Sequence, residues 1–382
     1  MTRSALSKFL HGCWHHLTQL ALLVLILVAA YVALGRQISA HIAEHKDELA
    51  RLLSWQLGMQ VHIAEMEGGW QGINADWRLH DVTLALPGRH WRYVMPEIEV
   101  EPQMLDSLLH LEPRLLVQVR GVDLHLRQAD DGSWRVDEFA AMPASDPRRL
   151  RQLLNWLSRQ PQLALDGRLQ LAPRQGPPLS LSALQVRFYA AGLHHALHLQ
   201  AQVRARGLHG DLDLRLHLRG ALGSAQTATQ LYLQLPAGDL APWWPQQLYP
   251  ALRVDSLRSS GLRLWWQHAR AGQDEVRVEA QSVALNASYA GRPQTQLLST
   301  RLHLDWQAQG DWQALGWGGG QVRWAHHVLL AGPTQVQWQG ARWRLSTGHI
   351  ALAPLLAAWR EVSGQELPLD LGGHSRRRRG QH

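Results

Sequence analysis

The chain is short of cysteine, of phenylalanine and of charge, and each shortage excludes something. Its one cysteine, Cys13, permits no intrachain disulfide and leaves no thiolate metal site or Cys nucleophile in the long region that follows. Charged residues are only 18% of the chain. Of the formal charge of +7, four units are the terminal run Arg376 to Arg379, so the body carries only +3. A nucleic-acid surface needs Lys and Arg clustered along one face, and that is absent here. Signatures of catalysis are missing too. There is no H-E-x-x-H and no G-x-S-x-G. Gly316 to Gly320 lacks the Lys and Ser/Thr of a phosphate loop and reads as a bend. His194 and His198 share a strand face but stand about 13 Å apart by rise, too far for one metal. Acidic pairs such as Asp130–Asp131 and Asp274–Glu275 fall at turns. The expectation is therefore a protein that is not an enzyme, with no cofactor, no metal and no nucleic-acid partner.

What is present is apolar. Residues of that class make up 46% of the chain, far too much for a disordered one. Trp number 18 against 3 Phe and 6 Tyr. Trp has a large apolar body and one N–H donor, so it suits surfaces that are half greasy and half wet. Leu20 to Leu34 reads LALLVLILVAAYVAL without a charge. With Leu17 to Gln19 it reaches about 18 residues, near the lower bound for a membrane span. Gly35 and Arg36 then lead directly into a helical pattern rather than a cleavage site, which favours an uncleaved anchor over a signal peptide. Arg3 and Lys8 place the N-terminus in the cytoplasm. Residues 37–57 continue at helical spacing with Ile38, Ile42, Leu49, Leu52, Leu53 and Leu57, and Gly58 stands where a helix ends. The apolar face of this helix is expected to cap the first strands.

From about residue 60 the period becomes two. Leu212, Leu214, Leu216 and Leu218 alternate with Asp213, Arg215 and His217, so every Leu faces one way and every polar group the other. Leu197, Leu199, Ala201 and Val203 do the same before the Gly207–Gly210 turn, which predicts an antiparallel hairpin. Further runs carry Leu231 and Leu233; Leu262, Leu264 and Trp266; Val276 and Val278; Leu302, Leu304 and Trp306; and Val336 and Trp338. Short helices are predicted over 102–110 and 148–158, and Pro173 to Pro178 reads as a hairpin end. About nineteen strand candidates at about 4.8 Å spacing reach at most roughly 90 Å. One apolar and one wet face make either a closed sandwich or barrel, or an open sheet whose apolar face lines a groove. Periodicity does not separate the two.

Leu49 to Leu86 carries Gly58, then Val61 and Ile63, then Gly69–Trp70–Gln71–Gly72, then Leu79–His80–Asp81–Val82–Thr83–Leu84. Val122, Leu124 and Leu126 followed by Asp131–Gly132 form a second block, and Leu231–Tyr232–Leu233 with Leu240, Trp243 and Trp244 a third. In that order these resemble the AsmA-like proteins, specifically the YhdP branch. The resemblance covers roughly residues 17–350 and is most specific in the first 70. Members of that branch are several times longer, so the chain resembles the N-terminal part of one. The resemblance implies a mainly β fold in which an anchor and amphipathic helix lead to an elongated curved antiparallel sheet forming an apolar groove. It implies phospholipid movement between inner and outer membrane, with membrane lipids as partners, the inner membrane as the anchoring site and the bulk in the periplasm.

The expected organisation is a cytoplasmic N-terminus (1–16), an anchor (17–35), the amphipathic helix (36–58), a first groove segment (59–138), a linker with a helix (139–160), a second groove segment (161–350) and a C-terminal tail (351–382). The residues expected to line the groove are Leu197, Leu199, Val203, Leu212, Leu214, Leu216, Leu231, Leu233, Leu262 and Leu264. The alternative is an assembly factor whose wet face binds other envelope proteins; a hydrolase ranks third.

Overall fold

The computed structural model describes residues from 22 to 360, leaving out 23–25, 27–28, 38–41, 72–73, 86–90, 140–158, 221–225, 245–251, 270–272, 290–294, 319–320, 325–326, 354–355, 358–359 and some single positions. The expected anchor, the helix over 148–158, Gly58 and the C-terminal tail lie wholly or largely outside the described residues. Among the described residues no helix is long and apolar enough to cross a membrane. The chain divides into two units, one of residues 1–174, 178–202 and 214–221, the other of 175–177, 203–213 and 222–382.

In the first unit a 3-10 turn, Ile42–His45, runs into helix α1 (Lys46–Leu57). It precedes strands β1 (Gln60–His62), β2 (Glu65–Gln71), β3 (Asn74–Ala85) and β4 (Arg92–Pro102). As expected, α1 caps these strands. Ala50 of α1 is buried with Val61, Ile63, Met66, Leu79, Val82 and Leu84, and Leu49 and Leu53 pack at the edge of that cluster. Polar bonds hold the helix in place: the Val61 amide donates to Ser54 Oγ at 2.8 Å, and Lys46 Nζ donates to the Ala64 carbonyl at 2.9 Å.

Helix α2 (Met104–His110) fills the place predicted for 102–110. Then come β5 (Leu115–Gln128), β6 (Trp134–Val136), β7 (Gln162–Ala172) and β8 (Leu179–Ala191). Residues 173–178 connect the antiparallel pair β7–β8, as the prolines predicted. The sheet is not purely antiparallel, however, because β5 and β7 pair in parallel. The cause lies in the connection. A hairpin returns the chain antiparallel, whereas the long segment between β6 and β7 is enough for a crossover to the same end of the sheet.

Strands β9 (His194–Ala205) and β10 (Leu208–Arg219) contribute residues to both units. The second unit then holds β11 (Ala228–Leu235), β12 (Gly238–Asp239), β13 (Leu252–Ser259), β14 (Leu262–Ala269), β15 (Gln273–Tyr289), β16 (Thr295–Gln309), β17 (Trp312–Trp317), β18 (Gln321–Trp324), β19 (His327–Gln339) and β20 (Arg342–Ile350). Several of these are halves of one strand. β13 and β14 pair with successive stretches of β15, and β17 and β18 with successive stretches of β16 and again of β19. Each such pair adds one rung rather than two, so the reach counted strand by strand is too long.

Several long strands are interrupted near their middles, and within each unit the interruptions fall on neighbouring strands. In the first unit Asp81 of β3 has φ +51 and is left unpaired opposite Pro96 of β4, with the register unchanged on either side. Next to them the β5–β7 register shifts between Val119 and Val122, and β7–β8 shifts after Gly167, with Ala183 at φ +48. In the second unit the row comprises Gly261 at φ +107, Gln281, Arg301 at φ +57, Gly318 at the end of β17 and the β19 shift between Ala331 and Thr334. Such bulges bend a strand and re-aim its side chains.

Candidate functional site

The alternation read from the sequence becomes continuous rows once strands are in register. In the second unit Leu233 lies opposite Leu264, Leu264 opposite Val278, Val278 opposite Leu304, and Leu304 opposite Trp317. Two residues along, Leu231, Trp266, Val276, Trp306, Leu315 and Val336 form a second row. Directly opposed residues, and those two apart on one strand, share a face. These rows therefore make one apolar face across β11 and β14 to β19.

That face is only half covered. Apart from Ala280, none of the apolar side chains described on it is buried, and Leu315 is 41% exposed. Among the described residues of the second unit, the buried aliphatic side chains beyond Leu208 are Ala280, Ala287 and Ala314. A second sheet packed on this face would bury the Leu and Trp side chains at interior density. The first unit differs in having buried apolar side chains both under α1 and at Val122, Ala164, Leu181 and Leu184. Leu79 is 3% exposed under α1, while Ile98, Val119, Leu165 and Val186, which continue its row, remain half exposed.

The residues expected to line a groove are distributed as follows. Leu231 and Leu233 of β11 stand directly against β14, which carries Leu262 and Leu264. Leu197 and Leu199 on β9, and Leu212, Leu214 and Leu216 on β10, are half-buried. Val203 is different: at 5% exposure it is buried. Sequence reasoning left Val278, Leu304 and Trp317 off the groove, although their alternation was visible. Only the register joins them to Leu233 and Leu264.

The opposite face carries charge in pairs. Arg277 Nε donates to Asp305 at 2.8 Å. His303 lies 3.2 Å from Glu279 and 2.8 Å from Asp305. Asp305 holds the Arg277 guanidinium above its ordinary pKa, keeping it a fixed charge. In the first unit Arg120 bridges Glu97 at 2.6 Å and Glu99 at 2.7 Å, and Arg187 meets Asp166 at 2.8 Å. Paired charges of this kind solvate a face and fix its orientation, with little net energy per exposed pair.

Where the second row of bulges crosses the sheet, the two faces meet in a cleft of about 660 Å³ lined entirely by second-unit residues. Leu235, Leu262, Ala280 and Leu302 line it from the apolar side, Arg263, Glu279 and His303 from the polar side. Small residues open the space: a Cβ on Gly210 would come within 2.9 Å of Pro236, and one on Gly318 within 3.0 Å of His303. The sequence signal for this cleft was the glycine run at 316–320, legible as a bend though not as one side of a cavity.

Comparison with known proteins adds one finding. No curated protein matches the chain. The family model described as YhdP protein matches residues 1–368, which takes in both units and every strand described above. Matched over nearly its whole length, the chain belongs to the YhdP family.

Proposed function

We propose that this protein carries phospholipid along the apolar face of its strands, anchored in the inner membrane with its bulk in the periplasm. The observation that supports the reading is the half-exposed row of Leu, Val and Trp running unbroken through β11, β14, β15, β16 and β17. Soluble proteins rarely leave so long an apolar surface uncovered without a ligand for it. The energetics fit. At about 0.8 kcal/mol per CH₂, one acyl chain of roughly sixteen carbons costs about 12 kcal/mol to expose to water. At about 1.4 kcal/mol per decade, that slows transfer by some eight to nine decades. An apolar trough removes most of this barrier and needs no reacting group. Uniform aliphatic rows also suit movement, because no position holds a chain much more tightly than its neighbour.

The test is extraction of the full chain in mild detergent followed by quantitation of bound phospholipid. Wild type is expected to retain it, and Leu264→Arg or Leu214→Arg to lose it while keeping the β-sheet circular dichroism of wild type. If the paired-charge face acts instead by binding other envelope proteins, Arg277→Glu and Arg215→Glu will impair envelope function and the two leucine variants will not. Wild type eluting free of lipid would overturn the proposal.

A further inference from the structure

We infer that one rim of the first unit rests on the surface of the bilayer that holds the anchor, with helix α2 and the β8–β9 turn as its apolar contacts. This rests on the membrane-anchored reading and goes beyond it by giving the anchored body a second contact, and with it an orientation.

Register defines the rim. Asn74 of β3, Pro102 of β4, Leu115 of β5, Gln162 of β7 and Tyr189 of β8 stand at corresponding ends of neighbouring strands. Hydrogen bonds run along it. Asn74 Nδ2 donates to Glu101 at 3.1 Å, and the Gln103 amide to the Arg114 carbonyl at 2.8 Å. The Leu115 amide donates to Gln160 Oε1 at 2.8 Å, the Ala190 amide to the Pro161 carbonyl at 3.1 Å, and the Gly220 amide to the Leu193 carbonyl at 2.9 Å. Every one of these residues belongs to the first unit.

Three observations point to a bilayer. First, exposed apolar side chains gather on this rim. Leu109 of α2 is 80% exposed, Leu111 just after it 87%, and Leu193 at the β8–β9 turn 60%; Met104 and Tyr189 are exposed on the same rim. Leucines exposed singly are ordinary, whereas such a group on one rim marks an interaction surface. Charges beside them are paired, His110 with Asp106 at 3.0 Å and Arg159 with Glu112 at 3.2 Å. Second, the opposite ends of the same strands suit a bilayer poorly. The β5–β6 hairpin there turns through exposed Asp130 and Asp131, which an anionic bilayer repels. Val94 and Trp134 at that end are each less than half exposed.

Third, the anchor leads to this rim. Gly35, helical and just past the apolar run, lies so close to the Trp70 indole that an added Cβ would overlap the ring. Trp70 stands near the tip of the β2–β3 hairpin, opposite Ala75. Leu22 and Ile26, helical and upstream of Gly35, are more than half exposed, as lipid-facing side chains would be. A body joined to its anchor here presents this rim, and not the opposite one, to the membrane. Leu and Met then sink into the headgroup–acyl boundary, while the Trp70 and Tyr189 rings sit at headgroup level. Half-exposed Ile98 stands four residues along β4 from Pro102, about 13 Å by rise, so the row it shares with Val119, Leu165 and Val186 lies just above the bilayer.

The experiment uses the full chain reconstituted in vesicles of phosphatidylethanolamine and phosphatidylglycerol. Leu109→Cys, Leu193→Cys and Trp134→Cys are made singly in a Cys13→Ser background, and each new thiol is labelled with an environment-sensitive fluorophore. All three positions are exposed, so the labels do not threaten the fold. A lipid carrying a nitroxide near the headgroup end of its acyl chain is the quencher. Labels at positions 109 and 193 are expected to lose most of their emission. They should lose less to a nitroxide near the chain methyl, because interfacial segments sit about 5–10 Å into the boundary. The label at position 134 should keep its emission. Position 109 or 193 unquenched, in protein that floats with the vesicles, overturns the inference and leaves the anchored reading standing. Blue-shifted emission there without quenching means that protein covers the rim, and overturns it too, as does equal quenching at position 134. Protein that does not float with the vesicles overturns the anchored reading itself, and this inference with it.

Discussion

Leu79 and Val82 are three residues apart on β3, yet both are buried in the same cluster, at 3% and 2% exposure. A regular strand would send them to opposite faces. Asp81 between them, at φ +51 and unpaired opposite Pro96, breaks the alternation without shifting the register. Leu181 and Leu184, at 4% and 3%, repeat the arrangement around Ala183. Replacing Asp81 by Gly should therefore raise thermal stability slightly, by about 1 kcal/mol or less, and Asp81→Val should lower it by about 1–2 kcal/mol. Thermal unfolding of the two variants measures the difference, and equal stability would mean the break is not held by that backbone angle.

Gly167 stands in the same line of irregularities on β7. A Cβ there would lie 2.0 Å from the Val122 carbonyl oxygen, which is backbone and cannot rotate away. Gly167→Ala should cost about 1–3 kcal/mol or more, because the parallel β5–β7 pair must open. Gly132 is the control: its φ is +82 but nothing lies within 4 Å of an added Cβ, so Gly132→Ala should cost only about 1–2 kcal/mol. Hydrogen exchange on β5 and β7 should rise in the first variant and not in the second.

Truncations separate closed core from open face. Ile63, at 1% exposure beneath α1, should lose about 2–5 kcal/mol on change to Ala. Leu233, half exposed in the middle of the apolar row, should lose about 1 kcal/mol or less. Denaturant unfolding reads both. A loss of several kcal/mol at Leu233 would mean that the face is covered in solution.

Acid should act on two named places. Burial tends to raise the Glu138 carboxyl, but hydrogen bonds from the His125 amide and ring outweigh it and leave the pKa lowered. A carboxyl lowered by folding adds stability above its unfolded pKa and loses it as pH falls through the folded value. The advantage of wild type over Glu138→Gln should therefore shrink on acidification below about 4.5. His195, stacked on Phe188, is lowered by burial and then by His194. Its unfolded form takes up a proton first, so stability falls as pH drops through about 6.5. His195→Phe should remove that step. Hydrogen exchange at β6 and at β9 against pH resolves the two.

Much of this was legible in the residues. The period of two determines that Leu231 and Leu233 share one face of their strand, and Leu262 and Leu264 one face of theirs. The change to helical spacing before Gly58 determines that a helix precedes the first strands, and α1 is there, preceded by the 3-10 turn Ile42–His45. The order of the motifs from Val61 to Trp244 pointed to the YhdP family. These are local properties, set by which side a side chain leaves the backbone.

Tertiary structure decided what local pattern cannot encode. The parallel partner of β5 depends on where a long connection lands, which alternation does not record. That β13 and β14 are two halves of one rung depends on their sharing β15 as partner. The cleft exists because Gly261, Arg301 and Gly318, scattered along the chain, are brought to neighbouring positions on adjacent strands. Each breaks its own strand for a local reason. Only hydrogen-bonded register, a relation between residues distant in sequence, aligns the breaks into one feature.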